Sequence, residues 1–260
     1  MFNKIIYLIT YLVVFVYSSY LINAQIDSNY YRQFNENLNS AKLIYNIDNC
    51  YNTSLNVLNL VEDSSLANMN QIRFNFFVEN KLYIVYGDIN SLLGNQIKIF
   101  AFDTLKFNAI KPEQIDSSKI RLFSSIAFKL YAIINEFAKK NIDYNLYIIN
   151  KKDTMNAFLI PIWQRNGKII YGDYIQKKYI LYNNDFKEVN TFKSNYGYRF
   201  FDSSTREIYL KYINDECPTI PSIFYTLAYK DIFEYVIIET KYKYTYLNNF
   251  ELGSYTHIGK

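Results

Sequence analysis

The hydrophobic pattern changes period several times along the chain, and the changes mark its elements. Behind Asp27-Ser28, which can cap a helix, Tyr31, Phe34, Leu38, Ala41 and Tyr45 fall at helical spacing. Gln33, Glu36, Asn37 and Asn39 give the solvated face, and a second helical piece is predicted over 54–66. The period then drops to two. Residues 72–78 and 81–86 predict a β-hairpin turning at Glu79-Asn80, and 96–102 a third strand. Lys111-Pro112 begins a connector, after which Asp116-Ser117-Ser118 caps the strongest helix of the chain. Its apolar stripe includes Ile120, Phe123, Ile126, Ala127, Leu130, Ile134 and Phe137, and Lys139 and Lys140 suit its C-terminal end.

Strands are predicted next at 143–149 and 156–163, around the polar turn Lys151-Lys152-Asp153. Asn166-Gly167 is a hairpin signal leading into 168–171, and 174–182 is a strand closed by Asn183-Asn184-Asp185. Residues 196–213 are less regular, with one or two strands. The best-defined stretch is 217–247. Pro218 and Pro221 bracket a helix start, Ser222 offers an N-cap oxygen, and Ile223, Phe224, Leu227 and Ala228 share one helical face. After the break at Tyr229-Lys230-Asp231, Tyr235-Val236-Ile237-Ile238 suits a strand covered on both faces. The following run alternates, with Tyr242, Tyr244 and Tyr246 on one face and Lys241, Lys243 and Thr245 on the other. That pattern predicts an edge strand beside a central one, its lysines discouraging further pairing.

Consecutive hairpin signals, rather than strict strand-helix alternation, predict an α+β fold. The expected fold is a mainly antiparallel sheet with a long helix and a shorter C-terminal helix packed on it. Three segments are expected: 1–24, then an N-terminal α+β region over 25–112, and a C-terminal α+β domain over 113–260. The stretch 80–88 echoes 166–173, both ending in Tyr-Gly-Asp or a close variant, and reads as two strands with similar turns rather than a duplicated domain.

Composition changes this picture mainly at the N-terminus. Met1 to Lys4 is a short positive region, 5–22 is apolar with a few hydroxyls, and Ile22-Asn23-Ala24 precedes Gln25. This is the pattern of a signal peptide cleaved after Ala24, giving a secreted or periplasmic protein. The alternative is a membrane anchor retained at 5–22. The abundance of Tyr, Asn, Ile and Lys is the mark of AT-rich coding, which removes the carbohydrate-binding argument that 28 tyrosines would otherwise raise. A net charge of +4 spread without a basic block argues against nucleic acid as a partner. A protein or a cell-envelope component is expected instead. Cys50 and Cys217 are an even pair compatible with one disulfide in an exported chain; two unrelated thiols are the alternative. Asn52-Thr53-Ser54 matches a glycosylation acceptor, which matters only in a eukaryotic host, and the Ala24-Gln25 junction looks bacterial.

From Ser117 to Leu252 the order of features resembles an uncharacterised group of bacterial proteins. The features are a helix, a hairpin, the turn Gly172-Asp173-Tyr174, the helix start Pro218-Thr219-Ile220-Pro221-Ser222 and a final strand pair. Members of that group can carry His-x-His shortly before the Pro-Thr helix, a pattern similar to JAMM-type zinc hydrolases, which use it with a following Asp as metal ligands. Here Ile208-Tyr209-Leu210-Lys211-Tyr212-Ile213 fills that region without histidine, and Ile223 or Phe224 stands where the Asp would. The resemblance therefore implies a member without metal chemistry.

Other chemistries are thinly represented. There is no Gly-x-Ser-x-Gly elbow, no P-loop and no Gly-x-Gly-x-x-Gly motif. Cys217 with His257 is a nominal nucleophile and base, against which a buried or bridged cysteine and a disordered terminal histidine are the ordinary readings. Asp215-Glu216 reads as a solvated acidic turn, Asp88 and Asp173 as turn residues, and Trp163 as packing. No catalytic, cofactor or metal residues are assigned and no cofactor is expected. The expectation is a non-catalytic binding or envelope structural protein, with a hydrolase-like enzyme or a membrane-anchored interaction protein as alternatives.

Overall fold

The computed structural model describes residues 2–60, 71–88, 97–112, 116–138, 142–161, 169–171, 173–183, 185–194, 197, 199–201, 204–248 and 255–259, with only the backbone described over 2–27, 58–60, 71–72, 88, 137–138, 169–171, 200, 247–248 and 255. The fold is α+β, with helices α1 (Phe2–Leu60), α2 (Ser117–Ala138) and α3 (Ile220–Ala228) among mostly antiparallel strands. The chain divides into two compact units: Lys42–Arg206, and Met1–Ala41 with Glu207–Lys260.

In the unit Lys42–Arg206, a helix followed by a four-stranded antiparallel sheet occurs twice. The second part of α1 precedes β1 (Gln71–Val78), β2 (Lys81–Asp88), β3 (Ile97–Asp103) and β4 (Ala109–Ile110), hydrogen-bonded in sequence order. Helix α2 precedes β5 (Tyr144–Lys151), β6 (Thr154–Pro161), β8 (Ile175–Tyr182) and β9 (Asp185–Lys193). The strand β7 (Ile169–Tyr171) leaves this second sheet to pair with β10 (Arg199–Phe201). The expected hairpin into β7 is thus replaced by β6 pairing with β8, and the Asn166-Gly167 signal lies outside the described residues. The predicted turn at Glu79-Asn80 forms, with Glu79 in the left-handed region at φ 53°.

Helix α2 begins as predicted, with the Ser118 N–H donating to Asp116 Oδ1 at 2.9 Å. Its stripe of Phe123, Ile126, Ala127, Leu130 and Ile134 is buried against Phe74, Phe76, Tyr83 and Val85 of one sheet and Leu146, Ile148, Met155 and Ala157 of the other. The strands alternate, so Leu82, Ile84, Tyr86, Tyr147 and Phe158 lie on the opposite face. They too are buried, as are Ile44, Ile47 and Tyr51 of α1, which covers that side. The connector at Lys111-Pro112, read from the sequence as a domain boundary, falls inside this unit, between β4 and α2.

In the other unit, β11 (Glu207–Tyr212), β12 (Tyr235–Thr240), β13 (Lys243–Asn248) and β14 (Tyr255–Gly259) form one sheet in that order. Strands β11 and β12 are parallel, as their connection through α3 requires. Thr219 rather than Ser222 caps α3, accepting from the Ser222 N–H at 3.3 Å. Ser222 lies inside the helix, and its hydroxyl donates back to the Thr219 carbonyl at 2.8 Å. Strand β13 is not an edge: β14 pairs along its far side. Its Lys243 and Thr245 are buried while Tyr244 and Tyr246 are half-buried, because the Tyr30 hydroxyl of α1 meets the Thr245 hydroxyl at 2.8 Å. Helix α1 runs unbroken from Phe2, past the predicted start at Asp27-Ser28 and through the predicted gap before Ser54.

Candidate functional site

Two asparagines join the sheets of the larger unit. Asn75 on β1 donates from Nδ2 to the Ile148 carbonyl at 2.7 Å, and its Oδ1 accepts the Ile148 N–H at 2.9 Å. Asn150 on β5 returns the arrangement, donating to the Phe77 carbonyl at 2.8 Å and accepting the Phe77 N–H at 2.7 Å. One edge of a carboxamide presents a donor beside an acceptor much as a peptide group does, so each bridges a gap that a backbone ladder would otherwise close. The pairs advance together, 75 with 148 and 77 with 150, so β1 and β5 run parallel along this seam. The Tyr51 hydroxyl lies 2.9 Å from Asn75 Oδ1 and 3.0 Å from the Leu146 carbonyl, completing the second lone pair of that amide oxygen.

At the start of β1 the seam ends in a charged network. The Tyr147 hydroxyl donates to Asp48 at 2.6 Å, and Asn145 Nδ2 reaches the same carboxylate at 3.4 Å. The Arg73 guanidinium donates to Asn145 Oδ1 and lies 4.0 Å over the centroid of the Tyr51 ring. The Tyr131 hydroxyl of α2 donates to the Arg73 carbonyl at 2.6 Å. Burial raises the Asp48 carboxyl above its ordinary range, opposed by the Tyr147 bond and the Arg73 charge. Burial also holds the Tyr51 and Tyr147 phenols protonated, well above their ordinary value. These groups consume one another. Among the described residues the network is a set of mutual partners, which suits a structural role.

At the other end of the seam a cleft of about 530 Å³ opens. Strands β1 and β5 both stop there in tight turns, with Glu79 and Lys152 in the left-handed region at φ 53° and 44°. The first turns of α2 contribute Lys119, Leu122 and Phe123, and β8 and β9 contribute Leu181 and Phe186. Phe123 and Phe186 are buried with ring centroids 5.7 Å apart and form an apolar floor with the half-buried Leu122, Leu181 and Val78. Among the described residues, Lys119, Lys151 and Lys152 are exposed on the rim against one carboxylate, Glu79. Asn150 lines the wall, and its two hydrogen bonds to Phe77 fix the shape of the cleft there.

The residues singled out from sequence fall elsewhere. Cys50 and Cys217 are buried free thiols: Cys50 Sγ faces the Phe107 carbonyl at 3.8 Å and Cys217 Sγ the Tyr30 carbonyl at 3.9 Å. Burial pushes both thiols up to about 12, which withholds the thiolate that a nucleophile needs. His257, expected in a disordered tail, lies in β14 opposite Thr245. Its Nδ1 is 3.0 Å from the Thr245 hydroxyl and 3.2 Å from that of Tyr30, and its ring packs edge-on to Phe34 with centroids 4.6 Å apart. It is a packed strand residue, and its bonded partners are hydroxyls rather than the Cys217 thiol. Asp173 ties a turn, accepting the Gly197 N–H at 2.9 Å. The Asp88 side chain and Trp163 lie outside the described residues. Asn52 is exposed near the C-terminal end of α1, and Asp215 sits in a turn where its carbonyl accepts the Lys241 N–H at 2.8 Å. Among the described residues no three His, Cys, Asp or Glu side chains converge as a metal site would.

Sequence reasoning missed Asn75, Asn150, Arg73 and the cleft lysines. Asparagine and lysine are so common here that a buried amide or a rim ammonium carries no compositional mark. One signal existed: Asn75 interrupts the apolar run Phe74–Phe77 on a strand, where a buried amide must find partners. No known protein family, no curated protein and no solved structure matches the chain.

Proposed function

We propose that this chain is an exported bacterial protein with a non-catalytic binding role in the cell envelope, and that the lysine-rimmed cleft is its recognition site. The observation that carries the reading is the cleft itself. Its volume of about 530 Å³ lies inside the range of about 300–1,000 Å³ usual for small-molecule sites. It combines an apolar floor with a few polar groups on a wall pinned by the Asn150–Phe77 amide pair. Export rests on the charged start, apolar run and Ala24-Gln25 junction. Cleavage there would leave Asp27 in the first turn of α1, where the helix dipole favours a carboxylate. A second reading, a protein held in the membrane by residues 5–22, is favoured by the continuity of α1 from Phe2 onward. Amino-terminal sequencing of the exported protein separates the two, returning Gln25 for cleavage and Met1 for retention.

Binding is tested with the uncharged fluorophore N-phenyl-1-naphthylamine. The expected result is saturable binding at one site per chain, reduced at least fivefold in Leu181→Asn while amide-exchange protection in α2 is unchanged. Absence of saturable binding to the native chain would overturn the assignment of the cleft.

A further inference from the structure

We infer that the cleft takes a single-chain amphiphile with an anionic head, its tail on the Phe123–Phe186 floor and its head among the rim lysines. The inference rests on the binding reading and adds the chemical class of the ligand. Its ground is the division of the cleft by polarity. The interior surface comes from buried aromatic rings and half-buried leucines that offer no hydrogen bond, so it rewards burial of alkyl or aryl surface. The cationic residues described there, Lys119, Lys151 and Lys152, stand at the exposed margin. A ligand polar throughout would leave the floor unpaired, and one apolar throughout would ignore the rim.

The sign of the rim follows from its members. Lys151 and Lys152 are consecutive, and Lys152 closes the β5–β6 turn in a left-handed conformation that holds both at the mouth. Lys119 shares its field with Asp116, whose carboxyl is lowered first by its hydrogen bonds to Ser118 and then by Lys119 itself. Among the described residues, Glu79 is the one carboxylate lining the cleft. The two consecutive lysines therefore supply most of the attraction, and a cationic head is disfavoured. Lysine is a point charge without the planar fork of arginine, so the rim selects for negative charge and does not distinguish a carboxylate from a phosphate.

The test measures binding of four ten-carbon probes to the full exported chain, each below its micelle concentration: decanoate, decyl phosphate, decanol and decyltrimethylammonium. Decanoate and decyl phosphate are expected to bind at least tenfold tighter than decanol, and the ammonium probe more weakly than decanol. In Lys151→Glu/Lys152→Glu, exposed turn positions whose exchange compromises no core packing, the anionic probes should lose at least tenfold and decanol should change less than twofold. Decanoate and decyl phosphate are expected to bind within about tenfold of each other, since lysine ammonium groups read charge without a planar fork. Equal binding of decanol and both anions, or an anion affinity unaffected by the double variant, would overturn the inference while leaving the binding reading intact. Failure of all four probes, together with N-phenyl-1-naphthylamine, would overturn both.

Discussion

His257 shows how much a side chain's chemistry depends on its partners. Burial pushes its pKa down from 6.5 to about 4, and the nearby Lys243 charge adds to the shift. Lys243 itself is held over Tyr31 and Tyr30, 4.6 and 5.0 Å from their ring centroids. The folded chain thus keeps the imidazole neutral where the unfolded chain takes up a proton. Between pH 6.5 and about 4 the unfolded state binds more protons, so this contribution to stability is whole above the window and is lost as pH falls through it. His257→Asn should flatten the dependence between pH 4.5 and 7.5 by about 1 kcal/mol, a figure kept small because the ring is only half-buried. Urea midpoints at the two pH values check this; the same slope in both proteins would refute it. The sequence offered this histidine only as a nominal base beside Cys217, and three residues from the last position it reads as tail. Its burial comes from pairing β14 to β13, a contact set by the sheet and not by local pattern.

At the scale of elements, local signals performed well where the chain makes its own partners. The Glu79-Asn80 and Lys152-Asp153 turns, the Asp116 cap and the α2 stripe each depend on neighbours a few residues away, and each formed. Elements whose partners are distant diverged. Strand β13 alternates like an edge strand, yet its polar face is the buried one because Tyr30 and His257 supply hydroxyl and imidazole partners for Thr245. Strand β7 follows a hairpin signal but pairs with β10. The amide seam between β1 and β5 is the longest-range case and the easiest to break. Asn75→Asp keeps the shape but points a carboxylate oxygen at the Ile148 carbonyl in place of a donor, and should cost about 3 kcal/mol in urea unfolding. Asn150→Ala should cost about 2 kcal/mol and weaken N-phenyl-1-naphthylamine binding, since the pinned wall of the cleft is lost. A loss below 0.5 kcal/mol in Asn75→Asp would show that the seam contributes nothing.

Over the whole molecule, the two cysteines test the division into units. Cys50 lies in the unit Lys42–Arg206 and Cys217 in the other, each a buried free thiol facing a carbonyl of its own unit. The exported chain should give two titratable thiols after denaturation and close to none before it; no thiols after denaturation would establish a bridge. The repeated helix-and-meander plan of the larger unit is also a property of the whole. The sequence echo between 80–88 and 166–173 does not report it, because β2 lies inside the first four-stranded sheet while β7 belongs to neither and pairs with β10. The amino-acid sequence by itself determined the α+β class, the hairpins, the helix α2 and its buried face, because periodicity and turn chemistry act over a few residues. Only the tertiary structure decided which strands meet, that β1 and β5 join through side-chain amides, and that their ends leave an apolar cleft ringed by lysines. Those outcomes depend on residues some seventy positions apart satisfying one another's hydrogen bonds, which no local pattern encodes.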